Sequence, residues 1–153
     1  MPSEEWRVSP PKTDDEYFER MTRALFQAGL NWRVIETKWP NFQKAFRNFS
    51  IRRIAKFGDK EISELMNNQG IVRNGSKIHS TIYNAQQALV VVKEFGSFKD
   101  YIKSFGKDHA ALQKDLQDRF HHLGESSSRT FLWMAGVKLT PTAEEKKWLA
   151  SND

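Results

Sequence analysis

Leu123-Gly124-Glu125-Ser126-Ser127-Ser128-Arg129-Thr130, running directly into Phe131-Leu132-Trp133-Met134-Ala135-Gly136, is the stretch whose reading decides the fold. A glycine breaks the chain between two helical runs. Serines suit a helix start, where hydroxyls can satisfy amides that the helix leaves open. Such a start presents bare N–H groups at the positive end of the helix dipole, which favours an anion. The chain carries 24 Lys and Arg against 19 Asp and Glu, a net charge of +5. A nucleic-acid phosphate is therefore the anion it suits best. Many helix pairs are joined by a glycine and a serine cap without any ligand, so the rest of the chain decides.

Working outward, the period is helical throughout. Leu112, Leu116 and Phe120 stripe the helix before the glycine. Upstream, Ile78, Ile82, Ala85, Leu89 and Val92 mark the buried face of a long helix that starts after an Arg73-Asn74-Gly75 turn and stops at Gly96. Val90-Val91-Val92 would suit a strand, but the flanking helical period outweighs it. Phe18, Met21, Leu25 and Ala28 stripe a first helix ending near Gly29, and Asn31 can cap a second one carrying Trp32, Ile35 and Trp39. Pro40 is expected to interrupt that helix. Phe42, Ala45, Phe46 and Phe49 form a further stripe, Ser50 or Asp59 can cap short helices, and Ser97 to Phe105 reads as another. Thr142 can cap a terminal helix with Glu144 and Glu145 in its first turn and Trp148 and Leu149 beyond. Residues 1–13 hold three of the five prolines and read as an extended arm. Residues 14–153 read as one all-α domain of about eight helices with short connections.

Composition narrows the chemistry. No apolar run approaches the roughly 20 residues of a membrane span, and Met1-Pro2-Ser3-Glu4-Glu5 lacks a signal-peptide pattern, so a cytoplasmic monomer is expected. Cysteine is absent, which removes disulfides, thiolate metal sites and thiol nucleophiles. His121 and His122 are adjacent and diverge by about 100° on a helix, and neither His79 nor His109 lies three or four residues from another histidine, so no metal is expected. No nucleophile elbow surrounds Ser126, Ser127 and Ser128. No cofactor is implied.

Four segments together resemble the bacterial 3-methyladenine DNA glycosylase I family. Phe26-Gln27-Ala28-Gly29-Leu30-Asn31-Trp32 is similar to its Q-A-G-L-S-W signature. Gly70-Ile71-Val72-Arg73-Asn74-Gly75-Ser76-Lys77-Ile78 is similar to its G-I-I-R-x-x-x-K-I segment. Phe120-His121-His122-Leu123-Gly124 resembles the family hairpin, and Glu5-Trp6-Arg7-Val8 its E-W-G-V opening. The resemblance implies a helix-hairpin-helix DNA glycosylase fold, with that motif at about 110–136. It also implies excision of alkylated, cationic bases from duplex DNA in base-excision repair. The hairpin would grip the backbone through Gly124, Ser126, Ser127, Ser128 and Arg129, aided by Arg73, Lys77 and Lys138. The extruded base would stack on Trp32, with Phe26, Gln27, Asn31, Trp6 and Ala24 around it. A pocket of π faces attracts a cationic base.

The chain departs from that pattern. Ala24 stands where the family has a pocket glutamate, and alanine can neither bond a cationic base nor orient water. Only four residues precede Glu5, and Leu139-Thr140-Pro141 stands where the family has N-D-H, so the family's zinc is not expected. Of the remaining acids Glu36, one helical turn from Trp32, is the candidate for a chemical role, with Glu16 and Glu19 on the preceding helix. The alternative is a catalytically inactive module that binds or senses damaged DNA on the same fold.

Overall fold

Thr13 accepts the amide of Glu16 on its hydroxyl, at 3.2 Å, and the first helix begins there. The structure, a computed structural model, describes residues 9–151, apart from the side chains of Glu145, Trp148 and Leu149. Its elements are α1 (Asp14–Gln27), α2 (Trp32–Ala45), a 3-10 turn (Arg47–Phe49), α3 (Ile51–Ile54) and α4 (Asp59–Met66). They continue with α5 (Gly75–Phe95), α6 (Phe98–Lys103), α7 (His109–Arg119), α8 (Glu125–Met134) and α9 (Ala143–Ser151). Among the described residues all regular structure is helical, as the sequence period indicates.

α1 is the central element. It packs against α2, α5, α6 and α8, and Tyr17, Phe18 and every residue from Arg20 to Phe26 are buried. A helix enclosed on nearly all faces has to share its polar groups with its neighbours. Asp14 accepts the Phe98 amide at 2.8 Å in the first turn of α6, while Asp15 accepts the Ile51 amide at 3.1 Å in the first turn of α3. Arg20 donates to the Met134 carbonyl at the end of α8 and to the Ser9 carbonyl in the arm, at 2.6 and 2.5 Å.

Four local readings need correction. Pro40 does not interrupt the second helix; α2 runs through it to Ala45. The apolar stripe of Ile35, Trp39 and Phe42 continues across the proline, and burying those side chains outweighs one missing hydrogen bond on an exposed face. On α5 the buried face is Ile78, Ile82, Ala85, Ala88 and Val91, whereas Leu89 is 39% exposed. The buried side of α5 is centred on Thr81, Asn84 and Ala88, which are polar or small, and Leu89 falls at its edge. α4 is capped at Gly58, whose amide donates to Glu61 Oε1 at 2.8 Å, with Asp59 in the first turn. Finally, Ala28, expected on the stripe of the first helix, is exposed just past its end; in the hairpin His122 takes a left-handed φ of +60° and Gly124 is extended.

The segment between α2 and α3 is unusual. Arg47, Asn48 and Phe49 all take left-handed φ values, +53°, +54° and +57°. Each costs a side-chain-bearing residue roughly 1–2 kcal/mol. What offsets this is Phe49, fully buried and stacked on Trp39 and Phe46 at 5.1 and 5.7 Å. Truncating that ring should therefore cost about 3–5 kcal/mol. Phe49→Ala is expected to lower the unfolding free energy measured in urea by that amount, whereas Asn48→Gly, which tolerates the same backbone, should leave it unchanged or raise it.

Candidate base site and nucleic-acid interface

The turn between α1 and α2 is closed by its own backbone. Gly29 lies at φ +77°, and the Leu30 amide donates to the Gln27 carbonyl at 2.9 Å. Asn31 then caps α2 by accepting the Arg33 amide at 2.9 Å. Its side chain is therefore engaged in the cap that the sequence suggested, rather than offered to a base edge. Trp32 follows, half-buried, with the Arg33 guanidinium 5.8 Å from its ring centre.

Lys77 anchors this turn to α5. Its ammonium donates to the carbonyls of Phe26 and Ala28, at 3.3 and 3.0 Å, satisfying two acceptors that the end of α1 leaves open. Partial burial lowers its pKa from the ordinary value. The sequence assigned Lys77 to the DNA backbone; the structure engages it within the chain.

On the adjoining face of the same helix end sits the hairpin. Asn84 pairs with the backbone of His121 in both directions, accepting its amide at 2.8 Å and donating to its carbonyl at 3.0 Å. The His121 ring stacks on Tyr83 at 3.7 Å. The His122 ring lies against two serines of α5, with Nδ1 2.7 Å from Ser80 Oγ and Nε2 3.4 Å from Ser76 Oγ. A surface cavity of about 620 Å³ opens here, walled by Ser76, Ser80, Gln117, His122 and Gly124. A side chain at position 124 would meet nothing within 4 Å. No neighbour in the fold demands a glycine there, and its absence of a side chain leaves the backbone open to an outside group.

Of the three serines, two face inward. Ser127 Oγ accepts the Gly124 amide at 2.9 Å and donates to the His122 carbonyl at 3.2 Å, and Ser128 Oγ donates to the Glu125 carbonyl at 3.1 Å. Both are buried, so their hydroxyls brace the hairpin, and the exposed hydroxyl of the cluster is that of Ser126. Arg129 donates to the Thr140 carbonyl at 3.4 Å. Arg73 and Lys138 are exposed. The first-turn amides of Glu125 and Ser126 are those a helix cannot satisfy internally.

The expected pocket residues are differently placed. Phe26 is fully buried, edge-on to Phe42 at 4.9 Å, so its ring belongs to the core in this conformation. Ala24 is 1% exposed. Gln27 is half-buried, and its Oε1 is buried with no hydrogen-bond partner among the described residues, an arrangement that costs roughly 1–3 kcal/mol. Trp6 lies outside the described residues, as do the rest of the Glu5–Val8 segment and the side chains of Trp148 and Leu149. Glu36 is exposed on α2, and Glu19 Oε2 accepts from Trp39 Nε1 and Gln43 Nε2, at 3.0 and 2.8 Å. Among the described residues no group of three or more metal-ligating side chains gathers.

Sequence reading missed Arg23. It is 1% exposed, with its guanidinium 5.1 Å from the centre of the Trp39 ring. Burial lowers its pKa, and the charges of Glu36 and Glu19 oppose that shift. It is thus electrostatically coupled to the carboxylate one turn from Trp32. The available signal was spacing: Arg20 and Arg23 lie three residues apart, between Phe18, Met21 and Leu25 of the apolar stripe.

Comparison with known proteins adds the family context. The sequence model of a family described as methyladenine glycosylase matches residues 3–131. DNA-3-methyladenine glycosylase of Haemophilus influenzae is 31% identical over 114 residues, covering 74% of this chain and 60% of that protein. DNA-3-methyladenine glycosylase 1 of Escherichia coli is 31% identical over 102 residues, covering 66% and 54% respectively. The chain thus spans rather more than half the length of these relatives. A crystal structure of 3-methyladenine DNA glycosylase I superposes with a TM-score of 0.75 at 28% identity, covering 84% of this chain and 81% of that one.

The Lys77 anchor can be checked directly. Lys77→Met leaves the Phe26 and Ala28 carbonyls without their donor and should cost about 1–3 kcal/mol in urea unfolding. The pH dependence has a definite sign. Burial holds the folded pKa below the ordinary 10.5, so in alkaline solution the unfolded chain binds the proton more tightly. The wild-type advantage over the variant should therefore grow as the pH rises from neutrality toward 10.5.

Proposed function

This chain belongs to the methyladenine glycosylase family, and we propose that it excises alkylated bases, 3-methyladenine foremost, from duplex DNA in base-excision repair. One observation supports this reading above the others. The first three turns of α5 hold both halves of the machinery, the turn leading to Trp32 through Lys77 and the hairpin through Ser76, Ser80 and Asn84. A base swung from a duplex gripped at the hairpin would meet the Trp32 turn across a single helix end.

The chemistry follows from the substrate. Extrusion costs a few kcal/mol, less for a weakly paired lesion. In 3-methyladenine the base is already cationic. When the glycosidic bond breaks, its electron pair leaves with the base and neutralises that charge. Water then adds to C1′ of the oxocarbenium-like sugar and releases a proton to bulk solvent or to a carboxylate. The indole of Trp32 supplies a π face for the cation, in competition with the Arg33 guanidinium already beside it. Glu36 lies on α2 one turn beyond Trp32 and is the acid best placed to receive the proton. DNA phosphates around the sugar offset its developing charge, which reduces what Glu36 has to supply. The exposed first turn of α8, with Gly124 and Ser126, would take the backbone, aided by the exposed Arg73 and Lys138. Burial of Ala24 without a carboxylate favours the alternative of binding without excision, and the two readings separate in one experiment.

Methylated duplex DNA incubated with the protein should yield free 3-methyladenine and abasic sites. Trp32→Ala should reduce release about 10- to 100-fold, the worth of one stacking contact, while still binding duplex. Binding without any release by the wild type would leave the non-enzymatic reading. Affinity should fall steeply with salt, and Gly124→Pro, which fills the open space and removes an amide, should weaken it. Unchanged affinity in that variant would exclude the hairpin as anchor.

A further inference from the structure

We propose that the end of α2 and α3 together form a second DNA-binding surface, apart from the hairpin, which holds undamaged duplex by its phosphates. This rests on the reading above that duplex DNA is the substrate. Between Glu36 and Asp59 the chain has no acidic residue and six basic ones, Lys38, Lys44, Arg47, Arg52, Arg53 and Lys56. These are six of its 24 bases and none of its 19 acids, so the remainder, with 18 bases against 19 acids, is slightly acidic. The net positive charge of the protein therefore resides in this one segment.

The hairpin does not supply such charge. Residues 110–136 hold three bases and three acids. Two of those bases are paired within the fold, Lys114 with Asp118 at 2.9 Å, and Arg119 with Asp115 and Glu94 at 2.7 and 3.2 Å. The third, Arg129, donates to the Thr140 carbonyl.

The segment from α2 to α3 is arranged differently. Ile51 and Ile54 are buried, which turns Arg52 and Arg53 between them to solvent, and Lys44 and Lys56 are exposed as well. The 3-10 turn packs against both α2 and α3 and joins their surfaces. Arg47 is engaged by Glu64 at 3.7 Å and by the Phe57 ring at 5.7 Å. Lys44, Arg52, Arg53 and Lys56 have no acid within ion-pair distance among the described residues.

This surface and the hairpin lie on different sides of α5. The segment after α3 meets α5 where Gln86 donates to the Ala55 carbonyl at 3.2 Å, whereas the hairpin meets it at Ser76, Ser80 and Asn84. Gln86 stands about 120° round the helix from Ser80. The chemistry of the patch favours a phosphate backbone over a protein partner. The exposed large apolar side chains are Leu30, Val34, Met66, Leu89 and Val90, all outside residues 37–58. A protein interface is usually centred on apolar or aromatic side chains, whereas phosphates are held by Arg and Lys. Contacts to phosphate read no sequence, so the surface holds any duplex while the hairpin and the Trp32 turn meet the lesion.

A variant combining Arg52→Gln, Arg53→Gln and Lys56→Gln tests this by removing three charges while keeping polar side chains. Lys99→Gln, Lys103→Gln and Lys107→Gln, at exposed positions in and after α6, remove the same charge elsewhere. Binding to a short undamaged duplex is followed by fluorescence anisotropy between about 50 and 200 mM salt. The wild type should bind, with the logarithm of its affinity falling linearly with that of salt. The first variant should lose about 2–3 from that slope, the second less than about 1. A slope unchanged in the first variant, or lowered equally in both, overturns the inference. A wild type without affinity for undamaged duplex also overturns it, and leaves an acidic protein as the partner such a face would fit. Release of 3-methyladenine from methylated duplex is measured alongside. Release by the wild type with no slope change in the first variant removes the inference and leaves the glycosylase reading. The expected slope change without release removes excision and leaves the surface. Should the triple variant fail to fold, Arg52→Gln and Arg53→Gln made singly should each lower the slope by about 1, and no change in either overturns the proposal.

Discussion

A helix buried on nearly every side cannot leave its polar groups to water, and much of this fold follows from that constraint on α1. Its first turn lends two carboxylates to the amides of α3 and α6. Its middle sends Arg20 to the end of α8. Its last turn is closed by Lys77 from α5. Each of these bonds satisfies α1 and at the same time fixes a neighbour. The neighbour fixed at its C-terminal end is α5, which also supports the hairpin. Gln27 Oε1, at that same end, is where the internal pairing stops.

On the proposed glycosylase reading, the arrangement separates gripping the backbone from reading the base. Ser127 and Ser128 turn inward to stiffen the hairpin, so rigidity there comes from the protein's own hydrogen bonds and does not await DNA. Trp32 and Gln27 are less completely enclosed than the core around them, which includes Phe26, Phe42 and Phe46. Alkylation sites vary little in their phosphates and much in their bases, and the stiff and the adaptable parts divide accordingly.

Much of this was legible in the sequence because helical period and capping are local. The starts at Asn31, Ser50 and Ser97 could be read from residue type alone, and the structure caps its helices there. Pro40 misled because a local penalty was weighed without the burial of Ile35, Trp39 and Phe42 across it. Leu89 misled because the buried side of α5 also carries the polar Ser80, Thr81 and Asn84, so the apolar residues alone do not mark its centre. The site was harder. A lysine that closes a helix 49 residues away in sequence looks like any surface lysine until the two helices meet. A buried arginine such as Arg23 shows only as an interruption in an apolar run. Gln27 could be picked out as a residue with hydrogen-bonding capacity, but its missing partner is a property of three-dimensional packing alone.

The mirror-handed turn at Arg47–Phe49 restricts which sequences this fold can accept. Side chains branched at Cβ clash with the backbone in that region, so isoleucine, valine and threonine are barred from three successive positions. The last of the three must also carry a ring large enough to fill the space beneath Trp39. Drift along this short segment is thereby confined to unbranched residues ahead of a fixed aromatic, even though two of its three side chains face solvent and touch no substrate.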